Sequence, residues 1–526
     1  MYTQIIKEIT RMKTHVLFFS LTGKRWERNP WCHRVATFLR NFECDAEVID
    51  FTAFWPLEDL KELVRSRVNS KTTLFCFGTA FLNPWSPYLN NFLYWLKKSY
   101  PTISIAVGGQ NALVTDAHYV DYWIDSYGEN ATHALLKYLT GNANHIKLDK
   151  NIKDKKVLRG LHSYPSAPLT SYLLDFEDRD FMLPSDCPQI ETSRGCKFAC
   201  SYCNFPILNQ KTDVSVSANE FEKQLKIGYE KWGIKNWRFV DETFNDRIEK
   251  LEKYANVVDN LDFKPWFTGF CRGDLLVSHR KHWDTYIKLG FLGHSMGIET
   301  FNKNAGRLIR KGIDPQKLKE GIIDFERYTD KEAPKKYRGQ ISLICGLPYE
   351  TFESWYETIE WLNRYWTRQS ASAWTLEISE EGIDLTNESE LTKNFREAGI
   401  RKIAHSIDNP GYHVYKDSRG DTVFKTIQTG GVGTTRLDNI MIWEHDTMNW
   451  YQAQELVKEF YNEKTGFRGK AGGNPILSDR LFAYKNTNNY EDVCDLDLSK
   501  IDTADDVFKK RVGDYIQKKL SWTNAK

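Results

Sequence analysis

Apolar residues along the first 140 positions follow two alternating periods. Short apolar runs at 15–19, 46–51, 72–77, 103–107 and 120–124 have the length of buried strands. Between them lie stripes at helical spacing. Val35, Phe38, Leu39 and Phe42 fall at i, i+3, i+4 and i+7, and Leu89, Phe92, Leu93 and Leu96 repeat that spacing. Gly78–Thr79, Gly108–Gly109 and Gly128–Glu129 punctuate the third, fourth and fifth runs, and a helix follows to about residue 139. Strands alternating with helices predict an α/β unit over residues 1–145, a doubly wound parallel sheet. Such sheets take ligands beyond the carboxyl ends of their strands, where these glycines stand.

The pattern lapses over residues 146–184. Lys147, Lys150, Lys153, Lys155, Lys156 and Arg159 interleave there with Asp149, Asn151 and Asp154, and Pro165 and Pro168 follow, which predicts a solvated linker. Strand-like runs resume at 188–193, 236–240, 266–271, 294–298, 340–344 and 373–376. They end in or near Asp241–Glu242, Arg272, Glu299, Gly346 and Glu377. Ser217 with Glu220 makes a capping box, and Asp314–Pro315 starts another helix. The prediction over 185–378 is a parallel (β/α) partial TIM barrel with its active site on the carboxyl-end rim.

Beyond 379 the periodicity thins to an α-rich C-terminal region, 379–526, read as a cap or substrate region over the barrel. Residues 447–462 and 495–519 read as helical, and Trp443, Trp450, Phe460 and Tyr461 as packing of that cap. The glycine-rich stretches 430–435 and 466–474 read as loops.

Composition changes this picture little. A chain of 526 residues exceeds one core and implies two or three domains. Its 72 basic and 70 acidic residues nearly cancel, so nucleic acid is not supported as a partner. No apolar run reaches membrane-spanning length, and residues 1–13 form no signal-peptide core. The ten cysteines are thinly scattered apart from one triad, which suits reduced thiols in a cytoplasmic protein. Cys271 and Cys345 read as core packing; His15, His33 and His118 read as surface or boundary residues.

The triad is Cys196, Cys200 and Cys203. Three closely spaced thiolates can hold three irons of a cubane and leave the fourth open to a substrate or cofactor. A zinc knuckle or a disulfide staple is the competing reading, and no second Cys/His pair at suitable spacing follows it. The spacing Cys-x3-Cys-x2-Cys resembles the signature of the radical S-adenosylmethionine (radical SAM) superfamily. Three further stretches are similar to strand-end motifs of its cobalamin-associated class: 239–244 (FVDETF), 296–300 (MGIET) and 344–351 (ICGLPYET). The motifs occur in the family's order, and the resemblance covers roughly residues 10–370.

The resemblance implies a 4Fe-4S cluster on Cys196, Cys200 and Cys203, whose open iron is chelated by SAM. Reduction would then split SAM into methionine and a 5′-deoxyadenosyl radical. Tyr202 matches an aromatic position near the adenine, and Gly346 with Pro348 a turn against it. Asp241, Glu242 and Glu299 are candidates to meet the ammonium or ribose of SAM, and Arg272 a carboxylate of SAM or substrate. For each of these a rim salt bridge or helix cap is the competing reading, and Glu350 reads as a helix-start residue.

The N-terminal segment resembles a Rossmann-like, cobalamin-binding domain, with Gly78, Thr79, Gly108 and Gly109 beside the cofactor. It lacks the Asp-x-His-x-x-Gly motif, as that class commonly does. Cobalamin-dependent methyl transfer to an unactivated carbon is the implied activity, with a one-electron reductant such as flavodoxin or ferredoxin as partner. A cofactor-free docking domain remains open for the N-terminal segment. Radical rearrangement, cyclisation or oxidation without methyl transfer also remains open, as does a non-catalytic iron–sulfur redox or binding protein.

Overall fold

The computed structural model describes residues 14–522 except 22–27, 29, 79–86, 110–118, 126, 149–154, 160–162, 166, 168, 170–173, 204–213, 335–336, 367–369, 379–388, 406–412, 417–421, 426–440, 462–477, 495 and 497–503. Thr79, His118 and the two glycine-rich stretches lie outside the described residues.

Six parallel strands form the first sheet: β1 (His15–Ser20), β2 (Asp45–Ile49), β3 (Thr72–Gly78), β4 (Ser104–Gly108), β5 (Tyr122–Asp125) and β6 (Val157–Arg159), in the order β2-β1-β3-β4-β5-β6. Strand periodicity splits its side chains between two cores. Leu17, Phe19, Ile49, Phe75, Phe77 and Val107 face one side, packed on helices Leu57–Arg67 and Pro87–Ser99. Val16, Phe18, Val48, Leu74, Cys76 and Ala106 face the other, packed on helices Pro30–Arg40 and Glu129–Leu139. With both faces covered, every residue of β1 is buried. The sheet is doubly wound, and its order reverses between β1 and β3, the switch point at which such folds open a crevice.

Three expectations need correction here. The stretch read as linker contributes β6, which pairs with β5 at Trp123↔Val157 and Ile124↔Leu158. Val157 and Leu158 are buried, but two apolar residues are too few to show a period. Lys155 and Lys156 lie over the rings of Trp123 and Tyr122 and shield this edge strand. Phe42, counted in the first helical stripe, lies past the helix end, 45% exposed and stacked on His133.

His33 is no boundary residue: it is fully buried, its Nε2 3.0 Å from the Asp50 carboxylate. His15 is also buried, 2.8 Å from the Thr72 hydroxyl.

The second sheet is again six-stranded and parallel. It contains β7 (Gln189–Ile190), then, after the short hairpin β8 (Ser193–Arg194) and β9 (Val214–Ser215), β10 (Asn236–Phe239), β11 (Trp266–Arg272), β12 (Phe291–Glu299), β13 (Arg338–Cys345) and β14 (Ser370–Thr375). Their order, β14-β13-β12-β11-β10-β7, is sequential, as in a barrel that stays open. Cys271 and Cys345 lie in its core.

The C-terminal region divides between the two sheets. β15 (Arg401–His405), β18 (Met441–His445) and β19 (Met448–Asn449) form an antiparallel sheet, while β16 (His413–Lys416) and β17 (Thr422–Lys425) pair separately. Helix Trp450–Phe460 and Trp443 join the barrel core at the β14 side, where the Trp443 indole donates to Leu376 O at 2.9 Å.

Helix Ala504–Ser521 packs elsewhere. Its Phe508, Val512, Tyr515 and Ile516 belong to the core of the first sheet, so the cap reading does not hold for this part.

Candidate active site at the facing strand ends

The cysteine loop leaves the barrel just beyond β7 and β8. Asp241, following β10, clamps its entry. The buried carboxylate accepts from Thr192 N (2.7 Å) and Ser193 N (3.1 Å), and from the Thr192 and Ser193 hydroxyls (2.5 and 2.9 Å). Lys250 Nζ stands 3.7 Å away and donates to Ser193 Oγ. Both oxygens expected to meet SAM are thus committed to shaping the backbone ahead of Cys196.

The second half of the loop is fastened to the barrel as well. Ser201 donates through its N–H to Ile309 O and through its hydroxyl to Leu308 O. Tyr202 OH donates to Glu299 Oε1 at 2.7 Å, and Lys311 Nζ lies 3.2 Å from the same oxygen. Glu299 has φ +68°, a left-handed conformation that is costly for a residue with a side chain. That strain at the end of β12 turns the carboxylate toward the cysteine loop.

Cys200 is buried, while Cys196 and Cys203 are partly exposed. Cys196 Sγ lies 3.4 Å from Thr243 Oγ1, and Arg272 Nη1 donates to Cys200 Sγ at 2.9 Å. Among the described residues no group of three or more His, Cys, Asp or Glu side chains is drawn around one metal ion. A cubane instead takes one thiolate per iron, so its sulfurs stand apart. Three thiols on one anchored loop with a cationic donor against one of them fit a cubane.

The carboxyl ends of the two sheets face each other across this loop. Arg194, 1% exposed and two residues before Cys196, donates to Glu129 Oε1 (2.5 Å) from the first sheet's side, and to both oxygens of Glu191 (2.7 and 2.9 Å). Its guanidinium lies 4.0 Å from the Tyr127 ring centroid, and Arg34 Nε stands 3.7 Å from Glu129. Tyr127 OH donates to Glu242 Oε1 at 3.1 Å, and Gly195 N to Glu242 Oε2 at 3.2 Å. Gly195 adopts φ +92°, which a side chain would strain.

Two cations and the carboxylates of Glu129 and Glu191 balance in this seam, and Glu242 has no cation of its own among the contacts just described. Burial pushes the Glu242 carboxyl up to about 7, reinforced by the nearby Glu191 and Asp241. A carboxyl that binds its proton more tightly when folded subtracts stability as pH rises from 4.5 toward 7. In the cluster-free protein Glu242→Gln is expected to remove this loss. Its gain over wild type should be near zero at about pH 4 and reach about 2–3 kcal/mol at about pH 8, read from denaturant midpoints.

Along the first sheet's edge Ser20, Gly78 and Gly108 sit side by side in register across β1, β3 and β4, and Gly109 follows β4. Gly346, after β13, has φ +89°, and a Cβ there would lie 2.5 Å from the Trp443 ring. Its carbonyl accepts from or faces His445 Nε2 at 3.1 Å. This turn therefore packs against the C-terminal segment.

Glu350 is not simply a helix-start residue, since Thr351 caps the helix Phe352–Tyr365. Buried, Glu350 accepts from Gly346 N, Leu347 N and the Thr300 hydroxyl, and burial pushes its carboxyl up to about 7.

Reading the sequence did not single out Arg194, Tyr127, Lys311 or Asp274 as site residues, nor Glu129 as a partner of the cysteine loop. Tyr127 and Glu129 meet partners more than 60 positions away, so local spacing carries no signal for them. Arg194 and Asp274 have a weak one, an acidic residue three positions before Arg194 and Arg272 two positions before Asp274.

Residues 190–362 match the Radical SAM superfamily model. No curated protein matches the chain. Its fold is similar to that of the radical S-adenosylmethionine methyltransferase TsrM from Kitasatospora setae, solved with tryptophan substrate and a SAM analogue. The TM-score is 0.63 at 11% identity, over 95% of this chain and 100% of that one. The cobalamin-dependent S-adenosylmethionine radical enzyme OxsB with aqua-cobalamin bound gives a TM-score of 0.58 at 12% identity, over 98% of this chain and 81% of the other. OxsB with aqua-cobalamin and SAM gives 0.55 at 14% identity over 75% of this chain, which spans little more than half, 57%, of that protein. The cysteine loop thus lies inside the matched segment, and the sheet ahead of it has its counterpart in the same solved folds. Residues 190–362 are thus a radical SAM domain, and the fold of nearly the whole chain, a Rossmann-like sheet ahead of an open barrel, is similar to those of TsrM and OxsB.

Proposed function

We propose that the chain is a cobalamin-dependent radical SAM enzyme that transfers a methyl group to an unactivated carbon. The observation that carries this reading is the facing of the two strand-end edges across the cysteine loop, with Arg194–Glu129 and Tyr127–Glu242 as the seam. When bound, the cluster supplies the electron that splits SAM, and cobalamin the methyl group.

Cys196, Cys200 and Cys203 would hold the cluster. Asp241 keeps the loop's entry in place, and the Tyr202–Glu299–Lys311 group keeps its exit. The Tyr202–Glu299 pair stands beside the cysteine loop and would be among the residues that hold SAM there. The Gly78–Gly108 pair, free of side chains on β3 and β4 beside the switch point, fits the flat approach of a corrin ring. The likeness to TsrM, a methyltransferase, supports methyl transfer over other radical chemistry.

The test is anaerobic purification and cluster reconstitution with hydroxocobalamin and SAM, read by absorption spectroscopy and mass spectrometry. Stoichiometric cobalamin with reductant-dependent 5′-deoxyadenosine is the expected result. Deoxyadenosine without bound cobalamin would remove the basis for methyl transfer and leave the other radical chemistries. A reduced cluster that never cleaves SAM would favour a redox or binding protein.

A further inference from the structure

Arg272, expected to meet a carboxylate of SAM or substrate, has its guanidinium fork already occupied. Nε and Nη2 donate to the two oxygens of Asp274 at 3.0 and 2.7 Å. The backbone at Arg272 is clamped from both sides: its N–H donates to Asn245 Oδ1 (2.9 Å), and Asn245 Nδ2 donates back to its carbonyl (3.0 Å). The guanidinium carbon lies 4.1 Å from the Phe198 ring centroid, a residue inside the cysteine loop. With backbone, fork and face all held, Nη1 points at Cys200 Sγ, 2.9 Å away. Arg272 is 8% exposed and Cys200 equally so, which limits screening by water.

We propose that Arg272 sets the redox poise of the cluster through Cys200, acting as a positioning residue and not as a reader of SAM's carboxylate. This rests on the radical SAM reading above. Reduction adds one electron, from a donor such as dithionite or a flavoprotein, to a cluster–thiolate unit that is already anionic. No bond breaks and no proton moves in that step. A cationic N–H donor on a ligand sulfur stabilises the added charge and raises the potential. Asp274 opposes this by partly neutralising the guanidinium while fixing its direction. The two residues therefore push the potential in opposite senses, which a purely structural role would not produce.

The test compares reconstituted wild-type protein with Arg272→Gln and Asp274→Asn. Iron and sulfide are measured first, and the fraction of reduced cluster is then followed by electron paramagnetic resonance at fixed potentials. Arg272→Gln should lower the reduced-to-oxidised ratio about tenfold, equivalent to about 59 mV for a one-electron couple. Asp274→Asn, which leaves the guanidinium uncompensated, should raise it. Potentials equal to wild type, or both variants shifting the same way, would overturn the proposal. So would failure of a fully loaded Asp274→Asn to shift upward if Arg272→Gln holds no cluster. Wild-type protein that takes up no four-iron cluster would overturn the radical SAM reading itself, and the iron analysis tells that failure apart.

Discussion

Cys200→Ala is expected to abolish cluster assembly and SAM cleavage while leaving the fold intact. Each thiolate of the triad would serve a different iron, so removing one leaves two adjacent irons of the cubane without a protein ligand once SAM's site is counted. Cys200 is the buried member, the one against which Arg272 is directed. The loop itself is held by Asp241, Ser201 and Tyr202 through contacts that do not involve the thiol. Loss of iron, of the cluster's visible absorption and of deoxyadenosine formation should therefore occur without a change in circular dichroism. Cys271→Ala and Cys345→Ala serve as controls. Both thiols are buried on barrel strands, and each variant should keep its cluster and lose only about 1 kcal/mol of stability. A Cys200→Ala protein with full iron and full SAM cleavage would refute the site.

The second large effect is on stability. Lys519→Ala should cost about 2–4 kcal/mol above pH 5, through loss of the nearest of three cations facing a buried carboxylate and of the buried methylenes that carry it. Lys519, on helix Ala504–Ser521, has no exposed surface, and its Nζ lies 2.9 Å from Glu47 Oε1 and donates to Arg179 O. Glu47, on β2, is also faced by Arg67 and Arg179 at 3.2 and 3.6 Å. These cations hold the Glu47 carboxyl down at about 2 despite its burial, Lys519 foremost among them. A carboxyl depressed on folding contributes stability that is complete above its unfolded value of 4.5 and disappears as pH falls toward 2.

The difference between wild type and Lys519→Ala should accordingly be largest near neutrality and shrink through that acid window. Lys519→Met, which keeps the methylenes, separates the charge from the packing. Denaturant unfolding at several pH values reads all three proteins. A constant difference across the window would assign the loss to packing alone.

Both effects bear on how much was legible from residues alone. Cys196, Cys200 and Cys203 are close in sequence, so the common task proposed for them rests on local spacing. The doubly wound sheet was legible for a similar reason: alternate residues such as Leu17 and Val16 must separate onto two apolar faces, and the helical stripes must cover them. The barrel strands were legible because each apolar run ends in a polar residue or glycine at the rim. Strand β6 was not, because an edge strand of two apolar residues flanked by lysines has the composition of a linker.

The site shows the same division more sharply. Asp241 and Arg272 stood out in the sequence as polar strand-end residues, but their partners were beyond it. Thr192 and Ser193 are 49 and 48 positions from Asp241, and Cys200 is 72 from Arg272. The contacts that join Asp241 to the cysteine loop's entry, and Arg272 to Asp274 and Cys200, exist only in the folded chain. Glu242 and Glu299 remain beside that loop, one shared with Tyr127 of the first sheet and the other with Tyr202.

By itself, the sequence determined the close spacing of three cysteines, the alternation of strand and helix in both units and the order of the strand-end motifs. All three depend on neighbours within a few turns or strands of the chain. Tertiary structure alone decided that the strand ends of the two sheets face each other, that Arg194 joins Glu129 across the seam, and that the last helix returns to cover the first sheet. Those pairings join residues 65 to more than 450 positions apart, and burial makes each charge depend on a partner that local spacing cannot reveal.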